Sequence, residues 1–177
     1  KLLLYPMGIL IDKTPDCPYV NFSEEGLLEI EGRSITEDVF SFWQPLVDWV
    51  AQYVKTPAEK TRLVFFFEYT NSSSNKYINE LLKHLDACAA NGNSVEILWK
   101  YEEDDESILM LGQDLDALIS IPFIFEEVET EKMKMQKVRV KSKKTGNEAI
   151  ISYRYWDAIV RNGHGDDYIV LDEDVKM

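Results

Sequence analysis

The chain has 177 residues, of which 45% are hydrophobic, and its net charge at pH 7 is −13. This length is typical of one domain with an appendage, and it is sufficient for a buried core. The acidic balance argues against nucleic acid and anionic membranes as partners, because both require a basic protein surface. No apolar run approaches the roughly 20 residues that span a bilayer. The two cysteines, Cys17 and Cys88, do not suggest a disulfide framework, so we expect a cytoplasmic protein.

The first 34 residues contain short extended segments. Residues 1–26 are predicted to be extended and loop-like, with a turn at 14–18. Residues 27–31 alternate apolar and acidic side chains, which predicts a half-exposed strand that ends at Gly32.

The first helix is predicted from a start signal and an apolar face. Ser34 and Glu37 have capping-box spacing, in which the serine hydroxyl and the glutamate satisfy amides at a helix start. Pro45 lies inside the predicted helix and should kink it, and the helix should stop before Pro57. Its apolar face has 3.6-residue spacing and consists of Val39, Trp43, Leu46, Val47, Val50 and Val54.

Strands and helices then alternate as far as residue 125. Residues 63–67 form a continuous apolar run, which predicts a central strand covered on both faces. A second amphipathic helix should bury Ile78, Leu81, Leu82, Leu85 and Ala89 and end at residues 91–93. The pattern continues with a strand at 95–99, an acidic turn at 102–106, a helix at 106–118 and a strand at 122–125.

This alternation predicts an α/β fold in which helices pack on a sheet. A right-handed crossover through the second helix should make the strands at 63–67 and 95–99 parallel. From residue 128 the pattern changes to period-two alternation at 137–141, a turn at 144–147, and strand-like segments at 149–156 and 168–171. We therefore expect an α/β domain over residues 1–127 and a β-rich extension, such as a meander, over residues 128–177.

The extension contains two features that bear on partners. Residues 132–144 include seven Lys or Arg residues and no acidic residue. A solvated strand face explains them most simply, although an acidic body with a basic strip could also pair with itself or with a charged partner, which leaves a homo-oligomer open. The aromatic residues Tyr153, Tyr155 and Trp156 either pack on the sheet or are offered to a partner.

Signals for catalysis are weak. His84 and His164 are the two histidines of the chain, and no zinc-protease, Cys-x-x-Cys, nucleophile-elbow or phosphate-loop motif is present. The acidic turn at 102–106 lacks the spaced ligands of a calcium loop. We therefore expect neither an enzyme nor a cofactor or metal site.

The most informative segment is the corner at which the apolar run 63–67 gives way to Asn71 and three serines. Asn71 or Ser72 could be a plain helix N-cap. Alternatively, one serine is phosphorylated, because the free amides and dipole of a helix N-terminus favour a phosphate. Lys76, one turn further along, could then pair with the phosphate on Ser72.

Six short motifs occur in a characteristic order: GRS at 32–34, PLVDW at 45–49, EYTNSSS at 68–74, GNSVEILW at 92–99, YEEDD at 101–105 and IPF at 121–123. In order and spacing, the chain from about residue 12 to 127 resembles the SiaC-type family of bacterial regulatory phosphoproteins. The resemblance implies a fold similar to the STAS domains of anti-sigma factor antagonists, with a mixed sheet and helices packed on it. It also implies no catalytic activity.

The resemblance further implies partner switching in the cytoplasm. A dedicated Ser/Thr kinase phosphorylates members, a PP2C-like phosphatase dephosphorylates them, and in the best-known system the unphosphorylated form activates a diguanylate cyclase. In that system the phosphorylated residue is a threonine in an Asn-Thr-Ser-Ser motif. The corresponding residue here is Ser72, with Ser73 as the alternative. The neighbours of this site are Tyr69, Asn71, Ser73, Ser74 and Lys76.

Two departures from the family pattern keep a second hypothesis open. Serine replaces threonine at position 72, and the extension lies outside the family pattern. The aromatic residues at 153–156 and the basic residues at 132–144 favour the alternative function, a constitutive protein-binding adaptor that acts through the extension.

Overall fold

The computed structural model describes residues 2–5, 8–103, 105–128 and 137–173. Its strands are β1 Leu2–Tyr5, β2 Gly8–Ile11, β3 Tyr19–Ser23, β4 Leu27–Ser34, β5 Lys60–Thr70, β6 Ser94–Glu102, β7 Phe123–Val128, β8 Lys137–Ser142, β9 Glu148–Ser152 and β10 Tyr168–Asp172. Its α-helices are α1 Val39–Tyr53, α2 Ser72–Ala90, α3 Glu106–Asp116 and α4 Tyr153–Arg161. The predicted α/β alternation from residue 27 to 128 is confirmed.

The main sheet has seven strands in chain order, β1 to β7. Strands β1 to β4 are antiparallel to their neighbours, and β4 to β7 are parallel. The predicted parallel pairing of 63–67 with 95–99 is confirmed, with Phe65 opposite Trp99. Because each new parallel strand is added at the same edge, right-handed crossovers place α1, α2 and α3 on one face of the sheet. The main core lies between that face and the helices.

The end of β4 differs from the sequence prediction. Gly32 does not end the strand, because its φ of +114° accommodates a register shift after which Arg33 and Ser34 still pair with β5. The predicted capping box is also wrong. Helix α1 begins four residues later, and its N-cap is Asp38, whose carboxylate accepts a hydrogen bond from the Ser41 amide at 3.2 Å.

The Ser34 hydroxyl instead joins three elements in the core. It accepts a hydrogen bond from Trp43 Nε1 of α1 at 3.0 Å and donates one to Ser74 Oγ of α2 at 2.8 Å. The Ser34 carbonyl accepts from the Asn71 amide at 3.0 Å. Ser34, Trp43 and Ser74 are fully buried, and we call them the buried serine–tryptophan link. Because water cannot reach these polar groups, their hydrogen bonds to one another take the place of bonds to water.

The opposite face of the sheet carries a buried ionic group. The prediction that residues 27–31 are half exposed is wrong for the acidic side chains of this face. Glu29 is 4% exposed because Arg154 of α4 covers it, with Nη2 2.6 Å from Glu29 Oε1 and 2.8 Å from Glu31 Oε1. Asn21 donates a further hydrogen bond to Glu29 at 3.0 Å. Burial raises the pKa of Glu31, and the nearby Arg154 only partly offsets this rise.

The extension folds as a second, three-stranded sheet and a helix. Its strand order is β10–β8–β9, so it is not a meander, because β10 pairs with β8. The predicted strand at 149–156 is wrong beyond Ser152. The Ser152 hydroxyl accepts a hydrogen bond from the Tyr155 amide at 3.1 Å and thereby caps α4.

Helix α4 packs on the main sheet. Tyr155 and Ile159 are buried in a second core with Leu10 and Tyr19 of β2 and β3. Ser152 Oγ also donates a hydrogen bond to Asp12 at 2.7 Å. Of the two interpretations of the aromatic segment, packing on the sheet is therefore confirmed for Tyr155.

We predict that Ser34→Ala lowers the free energy of unfolding by about 1–3 kcal/mol, because it leaves the buried Trp43 indole N–H without its acceptor. Ser73→Ala is the matched control, since Ser73 is exposed and its loss should cost less than about 0.5 kcal/mol. Urea denaturation of both variants measures the difference. Equal losses would show that the buried serine–tryptophan link does not stabilise the fold.

We also predict that Arg154→Met lowers the free energy of unfolding by about 2–3 kcal/mol, because it leaves Glu29 buried without its closest cation. Arg161→Met is the control on the same helix. Arg161 is more exposed and lies 3.5 Å from Glu29, so its loss should be less than half as large. A larger loss for Arg161→Met would contradict this assignment.

The pH dependence of Arg154→Met gives a further prediction. Without Arg154, burial and the nearby Glu29 carboxylate raise the folded pKa of Glu31 further above its usual 4.5, and Lys100 offsets this rise in part. Between the unfolded and the folded pKa of Glu31, the folded state binds more protons than the unfolded state. Stability therefore falls as pH rises through this window. The deficit of Arg154→Met relative to the unmodified protein should be larger at neutral pH than near pH 5, as measured by urea denaturation at each pH. A deficit that does not change with pH would be inconsistent with the burial of Glu31.

Candidate functional site

The candidate site is the corner between β5 and α2, at the carboxyl edge of the parallel strands. Strand β5 ends at Thr70 and α2 begins at Ser72, so a single residue makes the turn. That residue, Asn71, is the N-cap, and its side-chain oxygen accepts a hydrogen bond from the Ser74 amide at 2.8 Å. Of the two N-cap candidates, the structure therefore selects Asn71.

The three serines of the corner point in different directions. Ser74 lies on the helical face that also buries Ile78 and Leu81, and the buried serine–tryptophan link holds its hydroxyl. Ser72 and Ser73 are exposed. This follows from the rotation of about 100° per residue in an α-helix, because Ser72 is about 200° from Ser74. The hydroxyls that another protein can reach are therefore those of Ser72 and Ser73.

Two cations lie at this edge. Lys76 is exposed and is four residues after Ser72, which places both on the same side of α2. Arg33 lies opposite Tyr69 in the pairing of β4 with β5, and its guanidinium is 5.9 Å from the centre of the exposed Tyr69 ring. Lys76 and Tyr69 are among the site residues predicted from the sequence, whereas Arg33 is not. Finding Arg33 requires the register of β4 against β5, which no local pattern provides.

Two further hydrogen bonds, one between side chains and one between backbone groups, stabilise the corner. Thr70 Oγ1 donates a hydrogen bond to Asn75 Oδ1 at 2.5 Å, and the Asn75 amide donates to the Asn71 carbonyl at 3.1 Å. These bonds fix the backbone on both sides of Ser72. A charge added to Ser72 would therefore act on the surface and the first helical turn without unfolding the corner.

Two further observations bear on the chemistry of the chain. Among the residues that the structure describes, no three His, Cys, Asp or Glu side chains lie close enough together to hold a metal ion. Over the same residues, no helix has both the length and the apolar character needed to cross a bilayer.

Comparison with known proteins extends this picture. Solved structures that share the fold include the following two. SiaC of Pseudomonas aeruginosa has a TM-score of 0.63 and 22% identity, over 68% of this chain and 98% of that one. The SiaC activator in complex with the diguanylate cyclase SiaD of the same organism has a TM-score of 0.64 and 23% identity, over 67% and 98%. These matches confirm the predicted mixed sheet with helices packed on it.

The sequence comparisons agree with the structural ones. An uncharacterised protein of Pseudomonas aeruginosa is 24% identical over 103 residues, which is 58% of this chain and 82% of the relative. The family model described as SiaC family regulatory phosphoprotein matches residues 11–128, from β2 to the end of β7. The chain belongs to the SiaC family of regulatory phosphoproteins.

Proposed function

We propose that this protein is a non-catalytic switch that binds and controls a diguanylate cyclase according to the phosphorylation of Ser72. A Ser/Thr kinase would add the phosphate and a PP2C-like phosphatase would remove it, in the cytoplasm. The observation that carries the proposal is the exposed Ser72 at the start of α2 in a member of a phosphoprotein family. The related SiaC activator forms a complex with the diguanylate cyclase SiaD, which supports a cyclase as the partner.

The geometry suits a phosphate on Ser72. A phosphate there would lie at the positive end of a 19-residue helix, next to the amides that have no intrahelical acceptor. Lys76, one turn further along the same side, adds a positive charge. Ser73 is also exposed and is the alternative, whereas the buried Ser74 would have to leave the core to be modified.

Arg33 and Tyr69 add a feature that a partner could recognise at the same edge of the sheet. The Arg33 guanidinium lies over the exposed Tyr69 ring. A phosphate on Ser72, three residues after Tyr69, would add a charge of about −1.5 to −2 to this edge. A partner that binds the unmodified edge would then meet the added negative charge.

In this proposal the switch at Ser72 does not include the extension. We propose that residues 1–127 form the regulatory domain and that residues 128–177 form a separate unit that covers β2 to β4. Its contacts, through Arg154 and Tyr155, lie on the sheet face opposite α1, α2 and α3. The extension therefore leaves the corner at Ser72 accessible, as the exposure of Ser72 and Ser73 indicates.

We predict that a Ser/Thr kinase encoded beside this gene transfers one phosphate to Ser72. Mass spectrometry after incubation with kinase and ATP should find the phosphate on Ser72 in the unmodified protein and in Ser73→Ala, and none in Ser72→Ala. The reason is that Ser72 is exposed at the first position of α2 and follows Asn71 as the phosphorylated threonine does in the Asn-Thr-Ser-Ser motif that the chain resembles. A phosphate on Ser73, or no phosphate on any residue from 72 to 74, would refute this assignment.

We predict that Ser72→Asp weakens the complex with the diguanylate cyclase by about tenfold or more, which corresponds to about 1.4 kcal/mol. Ser72→Ala should bind like the unmodified protein, because it adds no charge. Isothermal titration with the purified cyclase measures each affinity. Lys83→Gln, on the exposed side of α2, lowers the net charge by the same single unit as Ser72→Asp and is the control. Equal affinities of Ser72→Asp and Ser72→Ala would exclude an electrostatic switch at this residue.

A further inference from the structure

The carboxyl edge of the parallel strands carries two exposed aromatic side chains. Phe40, the second residue of α1, is 63% exposed, and Tyr69, one residue before the end of β5, is 51% exposed. Both rings lie outside the main core. Large aromatic side chains are enriched where proteins bind one another, so this edge is a candidate for a partner surface.

Phe40 lies beside the two exposed serines at the start of α2. The buried serine–tryptophan link brings Trp43 of α1 next to Ser74 of α2, because both bind the Ser34 hydroxyl, at 3.0 and 2.8 Å. Phe40 is three residues before Trp43, which places it one turn nearer the edge on the same side of α1. The two exposed serines directly precede Ser74, and packed helices are about 8–10 Å apart. Phe40 is therefore about one helix spacing from them.

Tyr69 lies on the other side of the same edge. Ser34 points toward the helices, so its neighbour Arg33 points to the opposite face of the sheet. The Tyr69 ring shares that face, because Tyr69 lies opposite Arg33 in the strand pairing and the Arg33 guanidinium lies over it. Ser72 follows Tyr69 by three residues, after the turn. The two rings thus lie on either side of the rim at which Ser72 is exposed.

The edge is large enough for a specific complex. It is formed by the ends of β4, β5 and β6 and by the first turns of α1, α2 and α3. Three helices of about 10 Å diameter and two layers of about 10 Å each give roughly 30 Å by 20 Å, or about 600 Å². Specific interfaces begin at about 1,200 Å² in total, which is about 600 Å² per partner. The edge therefore reaches the lower limit of this range.

We infer that Phe40 and Tyr69 are the anchors with which this edge binds the diguanylate cyclase, so that Ser72 lies within the surface that the bound cyclase covers. The inference rests on the proposed function, which makes Ser72 the residue that controls this partner. Aromatic anchors act near the centre of an interface, in pockets from which water is excluded. The cyclase would provide an apolar pocket for each ring and would cover the serine between them.

This position determines how a phosphate on Ser72 would act. A charge at the rim of an interface repels the partner through water, and salt screens that repulsion. A charge between two anchors must instead lose its water when the partner binds, and this cost of desolvation remains at high salt. Phosphorylation would therefore prevent binding mainly because the complex has no place for a hydrated charge at Ser72.

Isothermal titration of the full chain with the purified cyclase tests the anchors. Phe40→Ala and Tyr69→Ala should each weaken binding at least tenfold. Leu118→Ala is the matched control, because Leu118 is 66% exposed but follows α3, about 16 Å along that helix from the edge. Leu118→Ala and Tyr69→Phe, which keeps the ring, should bind within about twofold of the unmodified protein.

The salt dependence of the same titrations tests the position of Ser72. The affinity ratio of Ser72→Ala to Ser72→Asp is measured at 0.1 M and at 1 M salt, where the Debye length falls from about 10 Å to about 3 Å. The ratio should stay the same within about twofold. A ratio that falls toward one at 1 M salt would place Ser72 at the rim and overturn the inference.

The remaining outcomes separate this inference from the proposed function. Equal affinities of Phe40→Ala and Leu118→Ala, with binding still weakened by Ser72→Asp, would overturn the anchors and leave the switch intact. No binding of the unmodified protein to the cyclase would refute both. If Phe40→Ala kept its affinity for the cyclase but was no longer phosphorylated on Ser72, the ring would serve the kinase, and the inference would also fail.

Discussion

The buried serine–tryptophan link determines how the functional corner is presented. Ser34 stands at the end of β4, and its hydroxyl and carbonyl bind the first residues of α2 and the indole of α1. Because Ser74 is held inside the core, the rotation of α2 is fixed, and the two preceding serines are turned to solvent. The site therefore depends on a contact between residues 40 positions apart in the sequence. A polar group buried in this way is tolerated because every member of the link is satisfied.

Electrostatics determine how the extension is attached. Glu29 and Glu31 would form an acidic stripe on an open sheet, and the extension converts this stripe into a buried ionic group. The pKa of Arg154 is raised because the carboxylates of Glu31 and Glu29 outweigh the opposing effect of burial. Apolar packing of α4 on β2 and β3 accompanies this charge pairing. The extension thus seals a face that the family-matched region, residues 11–128, does not cover by itself.

Local patterns predicted the fold well, and long-range contacts account for the errors. The apolar run at 63–67 and the periodicity of α2 are local signals, and both became core elements. The burial of Glu29 could not be predicted, because it depends on Arg154, which is 125 residues away in the sequence. The helix α4 was mistaken for a strand because its aromatic residues favour strands, whereas its Ser152 cap and its sheet contacts favour a helix. At the site, the helix start after Asn71 is a local signal, whereas the exposure of Ser72 also depends on the long-range bond that holds Ser74 in the core. The phosphorylation of Ser72 stays a prediction.

The position of the extension determines which parts of the protein can fold first during synthesis. The bond from Ser152 to Asp12 joins residues 140 positions apart, and a contact of this kind forms late because it closes a very long loop. During synthesis, the seven strands of the main sheet leave the ribosome before α4 does, because they precede it in the chain. Until α4 arrives, the acidic stripe on β4 has no counter-ion from the extension, and the apolar Leu10 is uncovered. The nascent chain must therefore pass through an intermediate that exposes this face to chaperones or to aggregation.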